Sequence, residues 1–296
     1  MKTLSTLTLL TITVFSLRTA QAEPSAEAKA AYQDMKDTLG VVPTFLKAFP
    51  DQGIAAAWDE LKTVQMNPTS ALSMKTKELI GLAVAAQIPC RYCSYFHTQF
   101  AKLGGATDGE LKDAIAMAAI TRHWSTVLNG AQIDLGEFKA ELAKVLDYVK
   151  HPTSKAAPAP VTDAASAYKD IERTLGRVPT FMRKFPEIGI AAAWREFKTV
   201  QLNPATPLDA KSKELIGLAV AAQVPCQFCV VFHTEAAKLN GATDHEIREA
   251  VAMAAIVRHW STVLNGSLID EMQFRKEVDQ IVKGAKRASA KASARK

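Results

Sequence analysis

The sequence predicts an all-α protein made of two tandem helical-bundle repeats. Three observations predict this: a long internal repeat, helix start and stop signals that recur in both copies, and the lack of any alternating strand pattern with hairpin chemistry. The repeat has an offset of 136 residues, and 68 of the 103 positions in 32–134 are identical in 168–270 without a gap. Such a match requires duplication of a whole folding unit, because solenoid modules repeat every roughly 20–50 residues.

Composition sets the class. With 296 residues, 48% hydrophobic and 22% charged, the chain is ordinary for a globular protein. It is neither disordered, collagen-like nor a multi-spanning membrane protein. Four cysteines are too few to staple a chain of this size. The net charge of +6 is unevenly spread: residues 1–22 carry two cations and no acid, 283–296 carry six and no acid, and the body between them is therefore −2. A mildly acidic body argues against specific nucleic-acid binding.

The elements follow in chain order. Residues 1–22 read as a secretory signal peptide: Lys2, an apolar run over Leu4–Leu17, and Ala20-Gln21-Ala22 as a small-x-small cleavage site, cut after Ala22. An exported, periplasmic protein follows from that reading. The first repeat occupies 23–150. In it Ser73 (Asp209 in the second repeat) is an N-cap for a helix to about Gln87. Pro89 suits the first turn of the next helix, which ends at Gly104-Gly105. Thr107-Asp108-Gly109-Glu110 is a capping box, repeated as Thr243-Asp244-His245-Glu246, and opens a helix that runs to Asn129-Gly130. Residues 151–161 form a Pro/Ala linker, 162–282 the second repeat, and 283–296 a disordered basic tail able to touch anionic surfaces.

All four cysteines lie in two identical arrangements. Glu78 is followed by Cys90, Cys93 and His97, and Glu214 by Cys226, Cys229 and His233 at the same spacing. On a helix of about 100° per residue, positions three, four and seven apart share a face. The two cysteines are thus within disulfide reach, and the histidine one turn later can take a proton from the second sulfur. Near a helix N-terminus the first thiol becomes more acidic. The carboxylate on the preceding helix can relay protons once that helix folds back. A redox dithiol competes with two other readings. One is a Cys/His metal site, for which the spacing is weak because structural zinc draws its ligands from separate turns. The other is a structural disulfide, whose short loop stabilises little.

The pattern Glu-x(11)-Cys-x-x-Cys-x-x-x-His resembles the signature of the alkylhydroperoxidase D (AhpD)-like branch of the carboxymuconolactone decarboxylase family, most sharply over 77–103 and 213–239. The resemblance implies two AhpD-like helical-bundle repeats and thiol-dependent hydroperoxide reduction, a peroxiredoxin-type antioxidant activity. It implies Cys93 and Cys229 as the attacking thiols and Cys90 and Cys226 as the resolving thiols. Glu78 with His97, and Glu214 with His233, would be proton relays. The redox groups are then the Cys90–Cys93 and Cys226–Cys229 disulfides, with no other cofactor. The partners are a hydroperoxide, an external thiol electron donor and further copies of the chain, as a homo-oligomer with a trimer favoured. Decarboxylase members generally lack the dithiol. Some members carry a histidine before the second cysteine, where this chain has Tyr92 and Phe228. Export sets the chain apart from cytosolic members, whose dithiol carriers are absent from an oxidising compartment. Thiol–disulfide exchange without a peroxide step is the nearest alternative, and a metal-binding assembly protein the more distant one.

The remaining candidates read as packing. His123 and His259 suit helix-end packing and hydrogen bonding. Trp58, Trp124, Trp194 and Trp260 are core or interface anchors, and Met117 and Met253 fill gaps among alanines. No dinucleotide or phosphate-binding glycine motif and no G-x-S-x-G elbow occurs, so neither nucleotide nor flavin is expected.

Overall fold

The computed structural model describes residues 23–153 and 159–294. The signal segment expected over 1–22 lies outside them. Among the described residues all regular structure is helical, and no helix is long and apolar enough to cross a membrane.

The first repeat comprises α1 (Ala26–Leu39), α2 (Asp51–Glu60), α3 (Met74–Gln87), α4 (Arg91–Leu103), α5 (Asp108–Gly130) and α6 (Leu135–Lys150). The second comprises α7 (Ala164–Leu175), the short α8 (Thr180–Arg183), α9 (Glu187–Val200), α10 (Ala210–Gln223), α11 (Gln227–Leu239), α12 (Asp244–Gly266) and α13 (Glu271–Ser293). The caps are where the sequence places them. The Ser73 side chain accepts the Thr76 N–H, and the Thr107/Glu110 and Thr243/Glu246 capping boxes are both closed. Gly40 and Gly176 end α1 and α7 with positive φ, which glycine adopts without a Cβ penalty.

The two repeats interlock. Helices α3 and α10 are buried on every face over residues 77–85 and 213–221, so they form the centre instead of a surface. Helix α3 packs on α4, α5 and α12, and α10 on α11, α12 and α5. One core contains Leu79, Ile80 and Met117 of the first repeat together with Ile216, Ala219 and Met253 of the second. The outer helices are exchanged: α13 packs on α4, and α6 packs on α11. Carboxylates fix this exchange at both ends. Glu277 of α13 accepts the Thr44 N–H and hydroxyl at 3.0 Å each, and Glu141 of α6 accepts the same pair from Thr180 at 2.8 and 3.0 Å.

Two expectations need correction. Pro89 precedes α4 instead of lying in its first turn, because Cys90 takes the N-cap. The basic segment from Lys283, expected to be disordered, continues α13 as helix through Ser293. Its Ala, Lys and Arg residues are strong helix formers, and Lys291 in the last turn complements the helix dipole.

Candidate active site

Each dithiol sits at the hinge of a helical hairpin. After α3, Ile88 and Pro89 turn the chain so that α4 runs back along it, with Cys90 as N-cap. The Cys90 sulfur accepts the Cys93 N–H at 3.2 Å, occupying the place usually taken by a Ser or Asp oxygen. The Cys90 and Cys93 sulfurs are 2.6 Å apart, as are those of Cys226 and Cys229, and all four are free thiols. Closing to a bond of about 2.05 Å needs a small shift.

The hairpin also brings Glu78 to His97. The Glu78 Oε2 to His97 Nδ1 distance is 2.7 Å, with both side chains buried. Glu214 and His233 repeat it at 2.7 Å. The second carboxylate oxygen accepts an amide N–H from Gln65 at 2.9 Å, or from Gln201 at 3.0 Å in the other copy. A carboxylate bonded on one side by an amide is held to present its other oxygen to the imidazole. Gly81 makes room for the ring: a Cβ there would lie 2.3 Å from His97 Nδ1, and one at Gly217 would lie 2.2 Å from His233 Cε1.

A buried cation braces the turn that carries Gln65. Lys77 is fully buried, and its ammonium donates to the carbonyls of Val64 and Asn67 at 2.7 and 2.8 Å. It thereby caps the π-helical turn over Leu61–Gln65. Lys213 does the same to Val200 and Asn203, at 2.7 Å each. Burial pushes both ammonium groups below the usual lysine range.

Each dithiol is completed by the other repeat. Ser261 and Asn265 of α12 donate to Cys90, with the Asn265 amide at 3.6 Å. Ser125 and Asn129 of α5 do so for Cys226. The hydrogen bond from Cys93 holds the Cys90 thiol down to about 6 against the opposing effect of burial, and Ser261, the Cys93 N–H and Asn265 add to it. Cys226 is likewise lowered to about 6. Cys93 and Cys229 move far upward, because each donates its proton to its partner and is buried beside a negative sulfur. The opposite directions place the negative charge of a singly deprotonated pair on the N-cap cysteine.

The two cysteines of the first repeat, both buried, border different spaces. Cys93 and His97 line a small apolar chamber of about 50 Å³ with Phe45, Phe96 and Trp260. An outer pocket of about 540 Å³, lined by Gln65, Glu78, Phe96 and Trp58, adjoins it. Cys90 instead lines an open cleft with Arg91, Tyr95 and Arg275. The second repeat has a chamber of about 40 Å³ at Cys229 and His233 and an outer pocket of about 340 Å³ at Gln201 and Glu214. The chambers differ at Leu61 of the first, which is Phe197 in the second, and at one polar position. Thr121 places its hydroxyl 3.3 Å from His233 Nε2, whereas the matching residue beside His97 is Val257.

The structure brings all eight sequence-derived residues together in two clusters of four. Among the described residues no group of three or more His, Cys, Asp or Glu side chains is arranged to hold a metal ion. Gln65, Gly81, Lys77, Ser125, Asn129 and their counterparts were not singled out from the sequence. Their signal was present in the repeat itself, because each is identical at the 136-residue offset. Tyr92, at the position where some AhpD-like proteins carry histidine, bonds the Ile269 carbonyl of the other repeat at 2.6 Å. Phe228 packs edge-on against Phe138. His123 stacks on Phe185, and His259 packs at a tilt against Phe49.

Comparisons with known proteins agree with this architecture. A Paracoccus denitrificans protein described as uncharacterized protein 4 in the cox locus is 41% identical over 51 residues, which is 17% of this chain and 46% of that protein. The chain thus spans less than half the length of that relative. A Burkholderia xenovorans crystal structure, of a candidate gamma-carboxymuconolactone decarboxylase subunit, superposes with a TM-score of 0.53 at 15% identity. It covers 88% of this chain and 98% of its own, so the shared fold extends over both repeats. The sequence model of the carboxymuconolactone decarboxylase family matches residues 52–133 and 189–269, once in each repeat, and the chain belongs to that family.

Proposed function

We propose that the protein is a thiol-dependent hydroperoxide reductase with one dithiol site per repeat. The observation that carries this reading is a pair of cysteine sulfurs 2.6 Å apart and a buried Glu–His couple, with Cys93 and His97 lining one apolar chamber. In the proposed cycle a hydroperoxide enters the chamber, and the Cys93 proton shifts to the Cys90 thiolate as Cys93 attacks the terminal peroxide oxygen. The O–O bond breaks, Cys93 becomes a sulfenic acid, and the alkoxide takes a proton from the His97–Glu78 couple and leaves as an alcohol. Cys90 then attacks the Cys93 sulfur. A disulfide forms, and the hydroxide leaves as water with the Cys90 proton. An external dithiol reaches the disulfide from the cleft beside Cys90 and returns two electrons and two protons. Cys226, Cys229, His233 and Glu214 perform the same steps.

The polarity of the pockets favours this substrate class over a carboxylated lactone. Among the described residues neither outer pocket is lined by Lys or Arg, and each contains the site's glutamate. A polycarboxylate would meet like charge without compensation. Thiol–disulfide exchange on a partner protein is a second reading, favoured by the acidic Cys90 facing an open cleft. The test is turnover of cumene hydroperoxide with dithiothreitol as reductant. Cys93→Ser/Cys229→Ser is expected to abolish it. Full turnover by that variant, or trapping of a mixed disulfide with a partner protein alongside no peroxide consumption by the wild type, overturns the reading.

A further inference from the structure

The two repeats differ in length at the end of α13. Helix α6 has 16 residues and ends at Lys150, whereas α13 has 23 and continues past Lys286, the residue matching Lys150. The C-terminal part of α13, which includes these extra turns, does two things. Ile281, Gly284, Ala285, Ala288 and Ser289, spaced along one helical face, form a wall of the first repeat's outer pocket. Lys283, Lys286, Arg287 and Lys291 are exposed on the remaining faces. Among the described residues none of these four cations forms an ion pair, although thirteen pairs occur elsewhere. The last acid before them, Asp279, is engaged by the Tyr95 hydroxyl at 2.6 Å. Arg295 and Lys296 extend the cationic sequence. The same pocket is also lined by Met66 and Met74, both exposed apolar side chains. Unneutralised cations beside apolar side chains form the surface that adsorbs to an anionic bilayer, where each basic residue adds to the attraction.

We propose that the basic end of α13 docks the protein on an anionic lipid bilayer and brings the first repeat's pocket to that surface, so that the Cys90–Cys93 site reduces acyl-chain hydroperoxides. The docking stands on the charge distribution alone, and the assignment of substrate rests on the peroxidase reading above. The second repeat lacks the extension, and its outer pocket is walled at the corresponding place by α6, through Val145 and Val149.

The test has a binding arm and a turnover arm, both using the full-length chain. Flotation with phosphatidylcholine vesicles, with and without phosphatidylglycerol, is expected to show binding to the mixed vesicles alone and release at raised salt. The variant Lys283→Gln/Lys286→Gln/Arg287→Gln/Lys291→Gln, which leaves both sites untouched, is expected to bind at least about tenfold more weakly and to keep wild-type turnover of cumene hydroperoxide. Equal binding to both vesicle types, an unaffected variant, or binding to duplex DNA with none to vesicles overturns the docking. In the turnover arm the substrate is a phospholipid hydroperoxide within mixed vesicles. Cys226→Ser/Cys229→Ser is expected to retain turnover and Cys90→Ser/Cys93→Ser to lose it, and equal rates overturn the assignment to the first repeat. If the wild type reduces neither this substrate nor cumene hydroperoxide, the peroxidase reading falls and the binding arm still decides the docking.

Discussion

At the scale of residues, the site works by dividing one proton between two sulfurs. With Cys90 and Cys226 held down to about 6, their alkylation by iodoacetamide should rise about tenfold per pH unit up to that value and level off above it. An ordinary thiol keeps rising to about 8.5. The sign follows from the thiolate being the reactive form: acidification below 6 protonates it and slows the reaction. Because two of the donors to Cys90 come from the other repeat, Ser261→Ala/Asn265→Ala should move the Cys90 midpoint upward and leave Cys226 in place. Site-resolved alkylation followed by mass spectrometry reads both. Glu78→Gln/Glu214→Gln should lower peroxide turnover by roughly 10²–10⁴-fold while the Cys90 and Cys226 midpoints stay near 6. The eight chemical residues were legible because their types and spacing are unusual. Ser125, Asn129 and their counterparts were not, since a serine and an asparagine on a long helix read as surface residues until the partner helix is known. Even so, the unchanged segment Arg122–Gly130 and Arg258–Gly266 pointed at the right helices.

At the scale of elements, α3 and α4 form a clamp whose tolerance is set by a missing side chain. Gly81→Ala would put a methyl 2.3 Å from the His97 ring, a buried side chain that Glu78 holds in place. Overpacking of this kind costs about 1–3 kcal/mol, more than the roughly 1 kcal/mol that alanine gains over glycine in a helix. We expect a lower melting temperature and loss of turnover at the Cys90–Cys93 site only, measured in a Cys226→Ser/Cys229→Ser background. Lys77→Met should destabilise the protein by about 1–3 kcal/mol by leaving the Val64 and Asn67 carbonyls buried without donors. Chemical denaturation measures it. Helix ends were readable because capping boxes and Gly stops act locally. The start of α4 was misplaced by two residues, because a cysteine as N-cap is not a signal that cap preferences contain. The helical end of α13 was misread because charge and low complexity were weighed above the helix propensity of Ala, Lys and Arg.

At the scale of the whole molecule, duplication has produced one interlocked body whose two sites each need both repeats. The internal repeat made the symmetry legible, yet no feature of a single repeat says that α13 will cover α4 or that α12 will donate to Cys90. Those contacts are long-range, and the sequence records them only as matched residues such as Glu141 and Glu277. Residues 23–150 alone would expose the apolar faces of α3 and α5, so that fragment is expected to self-associate or aggregate, as sedimentation would reveal. The difference between Thr121 and Val257 predicts that the sites also diverge: Thr121→Val should alter the pH profile of the Cys226–Cys229 site and leave the other unchanged. The central claim is that each dithiol consumes one peroxide. Its most direct measurement is a thiol count on the pre-reduced protein before and after one equivalent of cumene hydroperoxide per site. The account predicts loss of all four thiols, stoichiometric release of the alcohol, and recovery with dithiothreitol. Thiols that survive the peroxide would contradict it.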